Sequence, residues 1–92
     1  MHQLTGFQRD LLYVITGLER PSGQDIKERL EKRTGRDITH GRLYPNLDVL
    51  VTNEFVEKGE IDRRTNYYAA TDHGVDALHR YHQWGSDQLP SQ

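Results

Sequence analysis

The chain has 92 residues, 34% of them apolar and 28% charged, which suits one small domain with a thin stability margin. A net charge of −2 excludes a uniformly basic nucleic-acid coat, although it leaves room for a local basic face. Without cysteine there is no disulfide framework, thiolate zinc site or cysteine nucleophile, and without a signal-like start or a long apolar run the expected setting is a soluble cytoplasmic domain with no membrane partner.

The first helix opens at Thr5 and Gln8, which have capping-box spacing. Phe7, Leu11, Ile15 and Leu18 recur at helical spacing, and Leu4, Leu12 and Val14 widen the stripe beyond what a lone peripheral helix needs. That surplus is expected to meet a partner. Pro21 and Gly23 break the pattern after Arg20. Ser22 caps a second helix, with Asp25 in its first turn, Ile26 and Leu30 as its apolar positions, and Gly35 as its stop. Thr39 caps a third helix, where Ile38 can staple onto Leu43 and the core stripe is Leu43, Leu47 and Leu50. Pro45 lies beyond the first turn and predicts a distorted helix start, and Asn53, tolerant of positive φ, is the expected stop. Residues 55–62 and 66–70 read as a strand pair around the polar tip Asp62-Arg63-Arg64-Thr65-Asn66. Thr71 caps a last helix running to about Ser86, with Val75, Leu78, Tyr81, His82 and Trp84 on an aromatic side, and the tail from Asp87 is expected to fray.

Catalysis finds little support. Carboxylates are scattered over charged helix faces, and no Ser/His/Asp ordering or phosphate-cradling glycine loop is present. His79 and His82 lie one turn apart with Asp76 a turn before, yet the firm spacing of a zinc motif is missing, so they read as surface or interface histidines. His2 and His73 have no partner identifiable from sequence. No cofactor and no metal site are expected.

The charge map is more informative. Residues 27–42 carry Lys27, Arg29, Lys32, Arg33, Arg36 and Arg42 against Glu28, Glu31 and Asp37, and the hairpin tip adds Arg63 and Arg64. Residues 43–62 are acidic, with Lys58 against Asp48, Glu54, Glu57, Glu60 and Asp62. The basic segments are those that a winged helix-turn-helix presents to double-stranded DNA. On the third helix, away from the leucine stripe, stand His40, Arg42, Pro45, Asn46 and Val49; Arg42 can pair with guanine and Asn46 with adenine. Thr39 and Tyr44 have hydroxyls suited to phosphate, although Tyr44 is read equally well as a core residue. Arg63 and Arg64, with Thr65 and Asn66, would lie along the backbone or in the minor groove. The bland alternatives are a solvated helix face and a merely solubilising hairpin tip.

Gly41-Arg42-Leu43-Tyr44-Pro45-Asn46-Leu47-Asp48-Val49-Leu50 resembles the Gly-x-Leu-Tyr-Pro-x-Leu-x-x-Leu recognition helix of PadR-like winged-helix regulators. Tyr68-Ala69-Ala70-Thr71-Asp72-His73-Gly74 resembles that family's Tyr-x-Leu-Thr-x-x-Gly run from the wing into the last helix. The resemblance spans roughly residues 4–86. It implies a homodimer, usually a repressor, on a palindromic operator, with the last helix packing against the first helix of the other subunit. Departures are Ser22-Gly23-Gln24 where His-Gly-Tyr is common, Glu54 for a helix-ending glycine, Ala70 for leucine, and Val49 for a basic residue.

The resulting expectation is one domain over residues 1–92, mainly α with a small β-hairpin, a winged helix-turn-helix of order α-α-α-β-β-α. Residues 4–70 form its DNA-binding part, 71–87 a dimerisation helix and 88–92 a tail. The DNA-binding candidates are Ser22, Gln24, Thr39, His40, Arg42, Tyr44, Asn46, Arg63, Arg64, Thr65 and Asn66. The dimerisation candidates are Leu4, Leu12, Val75, Leu78, Tyr81, His82 and Trp84. The expected function is a DNA-binding transcriptional regulator, with a small-molecule effector as a further partner. The competing readings are a winged-helix protein-interaction module, which the net acidity suits, and a ligand- or metal-responsive sensor near Trp84.

Overall fold

In the computed structural model, which describes residues 3–91, the elements are α1 (Gly6–Gly17), α2 (Gly23–Thr34), α3 (His40–Thr52), β1 (Val56–Glu60), β2 (Asn66–Ala70) and α4 (Asp72–Gln88). His2 falls outside the described residues. The four helices and the antiparallel hairpin form a winged helix-turn-helix, with Val56 paired to Ala70 and Glu60 to Asn66. None of the described helices is long and apolar enough to cross a membrane.

Local chemistry sets the helix starts. Thr5 and Gln8 form a reciprocal capping box, as do Ser22 and Asp25, while Thr39 Oγ1 accepts from the Arg42 amide. The first helix stops at Gly17 rather than near Arg20: Leu18 leaves the helix at φ −106°, ψ 130°, and Arg20 at φ +47° then turns the chain toward α2. Gly35 ends α2 in the left-handed conformation. Around Pro45 the helix start is tightened: the Thr39 carbonyl accepts from both Arg42 (3.2 Å) and Leu43 (3.0 Å). Gly41, whose carbonyl Pro45 leaves without an intrahelical donor, is exposed.

Asn53 caps α3 where the sequence places the stop, but not in the left-handed conformation. Asn53 has φ −91°, and the left-handed residue is Glu54 at φ +62°. Glu54 N–H donates to Val51 O and Phe55 N–H to Leu50 O, both at 3.0 Å, which is the Schellman pattern. The reversal requires one left-handed residue between Asn53 and Phe55, and Glu54 occupies that position. Two further bounds differ: β1 runs from Val56 to Glu60, inside the expected 55–62, and α4 continues two residues beyond Ser86.

One core joins the elements. Leu11, Leu12 and Ile15 of α1 pack with Ile26 and Leu30 of α2, Leu43, Leu47 and Leu50 of α3, and Phe55, Val56, Tyr68 and Leu78. Thr71 and Gly74 tie α4 to the end of α3. Thr71 Oγ1 donates to Glu54 O at 2.6 Å, its amide donates to Phe55 O at 3.0 Å, and a β carbon at Gly74 would collide with that same carbonyl. This geometry is the physical content of the Thr-x-x-Gly run.

The helix-turn-helix angle rests on Glu31. Its carboxylate accepts from the Ile38 amide at 2.8 Å and from Lys27 Nζ at 3.0 Å, clamping the α2–α3 turn. The Ile38 N–H, and then Lys27, hold the Glu31 carboxyl below its usual range. A carboxyl depressed in the folded state stabilises above its unfolded pKa and loses that contribution as pH falls through the folded value. Glu31→Gln should therefore lower the melting temperature at pH 7, with the gap to the parent narrowing as the pH is taken below about 4. Glu54→Gly should raise stability by roughly 1 kcal/mol in chemical denaturation, because glycine adopts φ +62° without a Cβ penalty.

Candidate nucleic-acid interface

Three elements meet on one side of the hairpin. The α1–α2 connection docks along β2: the Tyr68 amide donates to Pro21 O at 2.9 Å, and Ser22 bridges Tyr67. The start of α2 is thereby held beside the wing. Tyr44 of α3 lies over Gly23, where a β carbon would stand 2.6 Å from the Tyr44 hydroxyl, so glycine is what admits the ring. Ser22, Gly23, Gln24, Tyr44, Arg64, Thr65, Asn66 and Tyr68 line the resulting cleft of about 360 Å³. Tyr68 is buried beneath it; burial, then the nearby Tyr44 and Asp48 charges, push its phenol above the ordinary value.

The remaining candidates of α3 lie outside this cleft. His40 meets Tyr44 edge-on, with ring centroids 5.7 Å apart. The Arg42 guanidinium stacks 3.9 Å from the Phe7 ring centroid, a contact that holds its planar fork in one orientation. Asn46 is half-buried and engaged at both ends, accepting from Gln8 Nε2 at 3.0 Å and donating to Arg42 O at 2.7 Å. Each of its amide atoms retains one further hydrogen-bonding capacity. Thr39 and Ser22 spend their oxygens on helix caps, which leaves their hydroxyl hydrogens to donate outward. Gln24 is exposed and bonds Glu28.

The wing tip is shaped by Asp62, whose carboxylate accepts from the Arg64 amide at 2.9 Å while Ile61 and Asp62 both donate to Thr65 O. Arg63 and Arg64 are exposed there. Among the described residues the only ion pair is Lys27–Glu31, so Arg29, Lys32, Arg33, Arg36, Arg63 and Arg64 carry exposed charge with no carboxylate partner. Asp48 is an exposed acid on the same helix as Arg42.

A second surface lies along α4. Arg9 sits 4.1 Å from the centroid of Tyr81, which stacks on Trp84. A cleft of about 590 Å³ is lined by Leu4, Arg9, Phe55, Ala77, Tyr81 and Trp84 among others. Trp84 is 60% exposed and Leu89 70%. His79 and His82 are exposed, and no group of three metal-ligating side chains is gathered among the described residues. Leu12 is 0% exposed and Leu78 5%, and both pack in the protomer's own core, Leu78 also lining the α4 cleft. Val75 is half-buried beside Ile15 and Ala70, and Leu4 is half-buried at the rim of the α4 cleft.

The model of the transcriptional regulator PadR-like family matches residues 11–80. The chain belongs to this family. No curated protein matches the sequence. Among solved structures, this PadR-like chain is similar to RosR of H. salinarum, with 44% identity and a TM-score of 0.91 over 99% of this chain and 82% of RosR. It is also similar to a PadR-like transcriptional regulator from Bacillus cereus, at 25% identity and a TM-score of 0.74 over 87% of this chain and 82% of that one. The fold is shared with Bacillus subtilis PadR in complex with operator DNA, at 22% identity and a TM-score of 0.73 over 96% of this chain and 51% of that one.

Sequence reasoning on this PadR-like chain missed Phe7 and Gln8, the two first-helix residues that touch Arg42 and Asn46. Gln8 was legible only as a capping residue, although its full burial is unusual for a residue needed only at an exposed cap. Gly23 and Tyr68 were likewise unassigned, because the contact across α2, α3 and the wing joins positions more than twenty residues apart.

Proposed function

We propose that the chain is a homodimeric repressor that acts in the cytoplasm and binds a palindromic operator through α3 and the hairpin. The observation that carries this reading is the convergence of the α2 start, Tyr44 and the wing residues Arg64, Thr65 and Asn66 on one cleft, beside a third helix whose exposed side bears Arg42. Helix N-terminal amides, hydroxyls and an arginine together suit backbone phosphate, and the outer side of α3 suits the major groove. The B. subtilis neighbour is described in complex with operator DNA, and the same fold serves that contact there. Enzymatic chemistry has no place in this reading.

The dimer is proposed on α4, which has no buried residue after Leu78 yet displays Tyr81 and Trp84, with Leu89 exposed at its C-cap. The molecule is elongated, 49 × 29 × 21 Å, which suits a helix that projects toward a second copy. The cleft between α1 and α4 is where a small-molecule effector would be sensed, since ligand and partner would contact the same aromatic side chains.

Selection of bound sites from random duplex DNA tests the reading: two symmetric half-sites about 34 Å apart are expected, with affinity falling steeply as salt rises. Absence of any salt-dependent duplex binding would favour a protein-interaction module instead. Arg42→Ala should cost about 1–3 kcal/mol in operator binding and relax preference at one position per half-site. A uniform loss across all sequences would assign Arg42 to phosphate. Trp84→Ala should raise the dimer dissociation constant about tenfold or more in sedimentation equilibrium; a variant still fully dimeric at low micromolar concentration would remove Trp84 from the centre of the interface.

A further inference from the structure

Gln8 is the one buried polar side chain among the described residues, at 6% exposure, and it lies on α1 rather than on the proposed DNA face. Its hydrogen bonds form a chain of fixed direction. The Thr5 backbone N–H donates to Gln8 Oε1 at 3.1 Å, Gln8 Nε2 donates to Asn46 Oδ1 at 3.0 Å, and Asn46 Nδ2 donates to the Arg42 carbonyl at 2.7 Å. The first group is a backbone N–H, which can only donate, and the last is a carbonyl, which can only accept. Both amides between them are therefore oriented from either end. Turning Asn46 alone would set its oxygen against the Arg42 carbonyl and its NH₂ against that of Gln8. Turning Gln8 alone would point its NH₂ at the Thr5 N–H.

We infer that Gln8 is a positioning residue for base discrimination: it presets the Asn46 amide on the recognition helix without touching DNA. The inference rests on the DNA-binding reading above. Bidentate recognition of adenine needs one acceptor and one donor from the same asparagine amide, and the relay leaves Asn46 one of each. Reversed, the amide would offer them in the opposite order. A capping role alone would require only the Gln8 acceptor, since the capping box is complete once Thr5 N–H and Gln8 N–H are bonded.

Gln8→Glu separates the two roles. Glutamate still accepts from the Thr5 amide, and it is the usual residue at this capping position, but it cannot donate to Asn46 Oδ1 at neutral pH. The experiment measures binding of the parent, Q8E, N46A and Q8E/N46A to the selected operator, to operators with single base changes, and to unrelated duplex DNA, with thermal melting of each protein. Q8E should stay folded, with a melting temperature lowered by the buried carboxylate, and keep its affinity for unrelated duplex while its discrimination at one position per half-site falls about tenfold. In the N46A background Q8E should change discrimination no further. A folded Q8E with parental discrimination, or a loss that adds to that of N46A, overturns the inference while leaving DNA binding intact. A parent protein without base preference overturns the DNA-binding reading itself. Should Q8E not fold, Gln8→Met also removes the donor to Asn46; it loses the Thr5 cap as well, which the melting temperature reads separately, so discrimination in Q8M and Q8M/N46A carries the comparison.

Discussion

The seat of α3 is the constraint on which the rest depends. Leu43, Leu47 and Leu50 are all at 0% exposure, on one stripe of a thirteen-residue helix. Each buried leucine contributes about 1.5–3 kcal/mol, so turning the helix by one position, which would bring leucines to the surface, costs several kcal/mol. With rotation excluded, the outward set of α3 is settled: Arg42, Tyr44, Pro45 and Asp48 are exposed while Asn46 lies at the α1 flank. The helix ends are held just as firmly, by Glu31 at the turn before it and by the Glu54 reversal after it.

Around that seat, short contacts hold two separate surfaces on two sides of a small molecule. The α1–α2 connection adds a strand-like edge to the hairpin, so the wing, itself only two strands, is braced by Pro21 and Ser22. Two paired strands alone are marginal in water, and the third contact is what makes the wing a fixed neighbour of Tyr44. On the far side, α4 is anchored at Gly74 and Leu78 and then leaves the core. The net charge of −2 conceals unequal surfaces: the exposed arginines of α2 and the wing tip lack ion-pair partners, while residues 43–62 carry five acids against Lys58.

Most of the architecture was legible in the residues, because it depends on neighbours within four positions. The three caps at Thr5, Ser22 and Thr39, the Gly35 stop and the leucine stripe of α3 are local, and each element formed where local chemistry placed it. The errors have local causes too. Arg20 and Glu54 take positive φ although neither residue type favours it, so the left-handed turns after α1 and α3 could not be read from preference alone. At Leu12 and Leu78 the apolar periodicity announced burial correctly but carried no information on whether the covering surface belongs to the same chain.

What the sequence by itself determined is therefore the element order, the leucine stripe, the basic segments and membership of the PadR-like family, all of which reside in spacing and residue type. Only the tertiary structure decided which polar side chains act together. Gln8 and Asn46 are 38 positions apart, and Tyr44 and Gly23 meet across two helices, so no periodicity links them. Hydrogen bonds and ring contacts are made at distances of a few ångströms with definite direction. Such geometry exists only once the core has fixed how the helices lie against one another.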